Sequence, residues 1–126
     1  MRVLHLTSGS LSRGASRGAL WLHQGLLAQG VESHLLTTDP HPSGMNLKTA
    51  LPGRRGEQQL MLLKQLDRLP LRAYRFDRRA TISPGWIGLP VQAMPGYEEA
   101  DLIHLHWIND GLLDLRSLRG CSKPIV

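Results

Sequence analysis

The stretch from Arg2 to Thr38 constrains the fold of this chain most. An apolar run, Val3-Leu4-His5-Leu6, enters a Gly/Ser/Arg loop from Thr7 to Gly14. An amphipathic segment follows from Ala15 to Gln29, and after Gly30 a second strand-like run spans Val31 to Thr38. Two consecutive strands joined by a helix-length crossover run parallel, because tight turns join only antiparallel ones. The pattern predicts an α/β fold, a Rossmann-like parallel sheet flanked by helices. In open sheets of this kind ligands gather outside the carboxyl ends of the strands, where the Thr7 to Gly14 loop falls. A phosphate-bearing ligand is the first expectation.

Ala15, Ala19, Leu22 and Leu26 recur at helical spacing and predict the buried face of the first helix. Ser12 is placed as its N-cap and Gly30 as the left-handed residue that ends it. Gly18 and Gly25 lie inside the helix, each costing about 1 kcal/mol relative to alanine, and are read as close helix-on-sheet contacts. Trp21 points elsewhere, half exposed.

Beyond Asp39, three prolines and three glycines mark a loop of about 17 residues, long for a compact domain. Glu57 to Leu69 predicts a second helix with Leu60, Leu63 and Leu66 on one side, broken by Pro70. Thr81 to Tyr97 reads as irregular, Asp101 to Trp107 as a buried strand and Gly111 to Leu118 as a short helix. Lys123 to Val126 begins another strand, with no helix after it to cover the sheet. Parallel sheets are covered on both faces, so the chain is expected to be a truncated, partial N-terminal domain, residues 1–126, of a longer protein.

The net charge of +5, from 15 Lys and Arg against 10 Asp and Glu, implies an anionic partner. Nucleic acid is not favoured: there is no aromatic-interleaved basic strand, zinc-finger spacing or ribonucleoprotein motif. Positive charge is densest from Arg68 to Arg79, just after the apolar face of the second helix. Such a combination can lie on an anionic membrane, making Arg68, Arg72, Arg75 and Arg79 a candidate peripheral contact. A solvated basic helix is the plainer reading. The lone Cys121 excludes an internal disulfide and fits a reducing compartment. No apolar run reaches the roughly 18–20 residues of a membrane span, and none resembles a signal-peptide core. A cytoplasmic protein, at most peripheral to a membrane, is expected.

The first loop, Gly9-Ser10-Leu11-Ser12-Arg13-Gly14-Ala15-Ser16, nearly spells a phosphate-binding loop, but Ala15 stands where its lysine belongs. A kinase or NTPase is thereby excluded, and Leu11 breaks the dinucleotide glycine pattern. What survives is a turn at a helix N-terminus with Arg13, Gly14 and Arg17 available to a diphosphate. A simple strand-to-helix turn with solvated arginines is the alternative. His104 and His106 share a strand face, but two imidazoles without an evident third ligand predict no metal. His106, Trp107 and Asn109 fall at the carboxyl end of their strand, where ligand contact is expected. His5 is read as a strand residue whose ring hydrogen-bonds inside the sheet, and Cys121 as inert.

Two blocks carry a family resemblance. Val3-Leu4-His5-Leu6, Ser12-Arg13-Gly14-Ala15-Ser16-Arg17 and Leu22-His23-Gln24-Gly25-Leu26 form the first; Ala100 to Asn109, Leu118-Arg119 and Lys123 to Val126 form the second. Together they resemble the N-terminal domain of family 4 retaining glycosyltransferases of bacterial polysaccharide synthesis, while Pro40 to about Gln92 matches poorly. The resemblance implies the N-terminal, acceptor-side half of a GT-B architecture, with the C-terminal donor domain absent from this chain. It implies transfer of a sugar from a nucleotide-sugar donor to a glycan or lipid-linked acceptor, without cofactor or metal. Arg13-Gly14 falls where such enzymes carry a Gly-Gly pair near the donor diphosphate, and Arg17 matches an arginine common in the subgroup. His106 and Trp107 match its strand-end motif beside the acceptor. No catalytic residue is expected in this fragment, which alone would be inactive. The alternative is a non-catalytic nucleotide- or anion-binding α/β module.

Overall fold

The computed structural model describes residues 1–74 and 82–126. Strands β1 (Arg2–Thr7), β2 (Glu32–Thr37), β3 (Leu47–Thr49) and β4 (Leu102–Leu105) form one sheet in the order β3-β2-β1-β4. Every pairing is parallel. Helix α1 (Gly14–Ala28) connects β1 to β2, and α2 (Gly53–Asp67) lies on the return from β3 to β4. Residues 123–126 pair outside β4: the Ile103 N–H donates to Pro124 O at 2.9 Å and the Leu105 N–H to Val126 O at 2.8 Å. The fold is the Rossmann-like parallel sheet that the opening stretch predicts.

Register sorts the side chains onto two unlike faces. Leu4, Leu6, Leu36 and Ile103 point to one side and join Ala50, Val91, Met94, Tyr97, Ala100, Leu112 and Leu113 in the hydrophobic core. Much of that cover comes from the irregular stretch after residue 82, whose regular structure amounts to a 3-10 turn at Val91–Ala93 and a single bridge at Leu89. The other face carries Val3, His5 and Thr7 beside Ser33, Leu35 and Thr37, with Leu102 and His104 on the far flank. Helix α1 packs against this second face.

Helix α1 departs from the expectation in three respects. Its N-cap is Arg13, not Ser12, and makes no side-chain capping bond. The Ser12 hydroxyl instead pairs with Ser10 Oγ at 2.8 Å. The buried face is Ser16, Ala19 and His23, while Ala15 and Leu22 are exposed and Leu26 is half-buried. Polar anchors set this rotation: His23 Nδ1 meets Ser33 Oγ at 2.7 Å and Nε2 meets Met45 O at 2.9 Å. Ser16 Oγ donates to Ser8 O at 2.7 Å and lies 3.0 Å from Thr7 Oγ1. Finally, a Cβ at Gly18 or Gly25 would meet no described residue within 4 Å, so neither glycine is pressed on the sheet. The C-terminus follows expectation: Gly30 has φ +75°, its N–H donates to Leu27 O at 3.0 Å, and the Val31 N–H donates to Leu26 O at 3.0 Å. Trp21 is 60 % exposed, as expected.

The long loop after Asp39 contains the short edge strand β3, and α2 starts at Gly53 rather than Glu57. Leu60, Leu63 and Leu66 are half-buried on one side of α2, which ends at Asp67 before a 3-10 turn, Leu69–Ala73, built over Pro70. The helix expected over Gly111 to Leu118 is a 3-10 turn at Leu115–Gly120, started by Asp114, whose carboxylate accepts the Arg116 N–H at 2.9 Å. Of the basic cluster, Arg68 and Arg72 are exposed, and Arg68 reaches Asp110 at 3.2 Å. Arg75, Arg78 and Arg79 lie outside the described residues. Among the described residues no helix is long and apolar enough to cross a membrane.

Candidate functional site

The chain steps from β1 to β2 to β3 in one direction and then returns to β1's other side at β4. The crevice between the carboxyl ends of β1 and β4 is therefore the topological switch point, where open α/β sheets place ligands. The two loops that border it are joined directly. The Ser8 N–H donates to Trp107 O at 2.6 Å, and the His106 N–H donates to Leu6 O at 3.0 Å.

The loop leaving β1 is shaped by the end of β2. The Gly9 N–H donates to Thr38 Oγ1 at 2.8 Å, Thr37 Oγ1 donates to Gly9 O at 3.3 Å, and the Leu11 N–H donates to Asp39 Oδ2 at 3.3 Å. Thr37, Thr38 and Asp39 were absent from the sequence-derived candidates. Their only signal was a polar cluster closing a strand beside a glycine loop. Gly14 then adopts φ +52°, a left-handed conformation that a side chain would disfavour, and opens α1.

That N-terminus is electrostatically open. It has no side-chain cap and no acidic residue in its first turn. The Arg17 N–H, donating to Arg13 O at 3.2 Å, makes the earliest intrahelical bond, so the N–H groups before it have no partner further down the helix. The positive end of the helix dipole adds to their pull on an anion. Ser8, at the carboxyl end of β1, is buried, and its Oγ has no hydrogen-bond partner among the described residues.

The structure distributes the candidate residues unevenly. Arg13 and Gly14 are exposed at the start of α1. Arg17 is exposed too, but its guanidinium lies over the Trp21 ring, 4.7 Å from the centroid, one turn further along the helix. Neither arginine takes part in an ion pair among the described residues. Trp107 is partly exposed at the end of β4, whereas Asn109 donates from Nδ2 to Ser83 O at 2.9 Å. His106 turns inward, with Nε2 3.0 Å from His5 Nδ1.

That contact belongs to a larger histidine cluster. His5 sits in register with His104, and His106 follows two residues along the same face. Ring centroids of His104 and His106 are 4.2 Å apart and stacked, while His5 lies 5.1 Å from the first and 5.3 Å from the second. His23 of α1 approaches His5 edge-on at 6.2 Å. Burial, reinforced by repulsion from His106, His104 and His23, pushes the His5 pKa down to about 3. Burial and then His104 push His106 down to about 4. Both rings are neutral at neutral pH. The third imidazole was invisible in sequence because strand register, not proximity along the chain, brings it to the pair.

Compared with protein-family models, with curated proteins and with solved structures, the chain matches none. Fold and crevice define a Rossmann-like α/β domain, consistent with the broad class that binds nucleotides and other anions. No Asp-x-Asp occurs in the sequence. A cavity of ≈ 30 Å³ against Leu4, His34, Asn46 and Lys48 lies along β2 and β3 and is of water size, not sugar size.

Proposed function

We infer that the chain is a nucleotide-binding module that takes the diphosphate of its ligand at the β1–β4 crevice. The observation that carries this reading is the uncapped, acid-free N-terminus of α1 at the switch point of a parallel sheet. Free N–H groups of the first turn supply the donors and Arg13 the mobile charge. Gly14 lets the backbone approach, and the unpartnered Ser8 hydroxyl offers one further bond. Arg17 would join after leaving the Trp21 face.

A second reading, sugar transfer, is favoured by one arrangement: the two sequence blocks that resemble family 4 glycosyltransferases meet at this same crevice, through β1 and β4. In that reading the ligand is a nucleotide sugar, and His106, Trp107 and Asn109 border the acceptor. Electrostatic stabilisation of the departing diphosphate would be this module's share of the chemistry.

Isothermal titration of the chain with uridine, adenosine and guanosine diphosphates tests the first reading. Arg13→Ala is expected to weaken binding about three- to tenfold, a loss of about 0.7–1.4 kcal/mol, with a larger loss for Arg13→Asp. Binding that is undetectable at millimolar ligand, or indifferent to both substitutions, refutes it. Tighter binding of a sugar nucleotide than of its parent diphosphate supports the second reading.

A further inference from the structure

We propose that His5, His104 and His106 form a three-imidazole site for a divalent transition-metal ion of the zinc, cobalt or nickel type, on the face of the sheet that α1 packs against. One nitrogen from each ring lies within 4.8 Å of the others, before any ion draws them together. His5 Nδ1 and His106 Nε2 are already 3.0 Å apart. Ligand nitrogens around a tetrahedral ion with bonds of about 2.0–2.1 Å stand about 3.3–3.4 Å from one another. Rotation of the two half-buried rings, His104 and His106, would close the set.

His5 supplies the independent reason to expect a ligand. It is fully buried, and its Nδ1 faces a second imidazole nitrogen, His106 Nε2, at 3.0 Å. The two facing nitrogens share at most one proton, whereas a cation accepts a lone pair from each. Burial holds His5 and His106 neutral, the form that ligates, so little protonation competes at these two.

The donor set decides the kind of ion. All three donors are imidazole nitrogens, which suit zinc, nickel, cobalt or copper rather than magnesium or calcium. Cys121 packs against the hydrophobic core on the opposite face and is not among them. His104 and His106 are half-exposed, so an ion enters from solvent and the fourth position remains open to water. This site is separate from the helix N-terminus: diphosphate binding is measurable in chelator, and metal binding without nucleotide.

The test is a titration of the untagged, EDTA-stripped chain with Co2+, followed by visible d–d absorption, with Zn2+ competition and thermal melting alongside. Saturation at one ion per chain is expected, with a raised melting temperature. His104→Gln and His106→Gln should each weaken binding about tenfold or more. His34→Gln and His41→Gln should leave it unchanged. Zinc-induced NMR shifts confined to the rings of His5, His104 and His106 give the same answer without substitution. Absence of a saturable Co2+ spectrum overturns the proposal, as does a spectrum that survives in the doubly substituted His104→Gln, His106→Gln chain.

Discussion

A histidine whose pKa falls on folding removes stability as pH drops. The unfolded ring takes up a proton near its ordinary value of 6.5, while folded His5 resists protonation down to about 3 and folded His106 down to about 4. Between those limits the unfolded chain binds more protons, so acid favours it. In chelator, the stability present in full above about pH 6.5 should therefore decline through the window down to about pH 4 and below. The denaturant midpoint measured from about pH 7 to about pH 4 reads this directly, and His106→Gln should flatten the slope. A midpoint that does not move over that range contradicts the neutral His5–His106 pair. Asp67 shows the opposite kind of buried polar residue, one fully employed. Its carboxylate accepts from Ser83 Oγ and from the Trp86 N–H at 3.2 Å, fixing residues 83–86 against the end of α2.

At the scale of the element, α1 carries two residues that its packing does not require. Among the described residues a Cβ added at Gly18 or Gly25 meets nothing within 4 Å, and both lie in the helix interior. Gly18→Ala and Gly25→Ala should each stabilise the protein by about 0.5–1 kcal/mol, read as a shift of the urea midpoint without a change of slope. A loss of stability at either would mean that the added methyl meets neighbouring atoms and the position is not open. The same helix shows how far its sequence could be read. Gly30 announced its C-terminus because only a left-handed residue closes that turn. Its rotation was misread because apolar spacing ignores Ser16 and His23, whose hydrogen bonds to β1, β2 and Met45 outrank Leu22. The strands β1, β2 and β4 were legible from their apolar runs. β3 was not, because three residues on a sheet edge leave no periodic signal. In the crevice, Arg13 and Gly14 are visible as loop chemistry, whereas Thr38 and Asp39 reach the loop only because β2 pairs with β1, and beneath α1 His5 meets His104 only through parallel register.

Across the whole molecule, the sheet has two unlike flanks. β3 closes one with three residues, and the other depends on residues 123–126, which cap β4 through the Ile103 and Leu105 amides. Ile103 is fully buried in the core, so the strand that these residues cover also anchors the hydrophobic face. Deleting 123–126 turns β4 into an open edge with unpaired N–H and C=O groups, a template for a second chain. The deletion should abolish slow hydrogen exchange at Ile103 and Leu105 while leaving it intact at the β1–β2 pairs, and should raise the associated fraction in size-exclusion chromatography. Because β4 also carries His104 and leads into His106, Co2+ affinity should fall with the same deletion, whereas diphosphate binding at α1 should fall less. Unchanged protection of the two β4 amides would mean that the terminal residues lie beside the sheet without supporting it. The core would then rest on β1, β2, β4 and the residues at 89–100 and 112–113 without them.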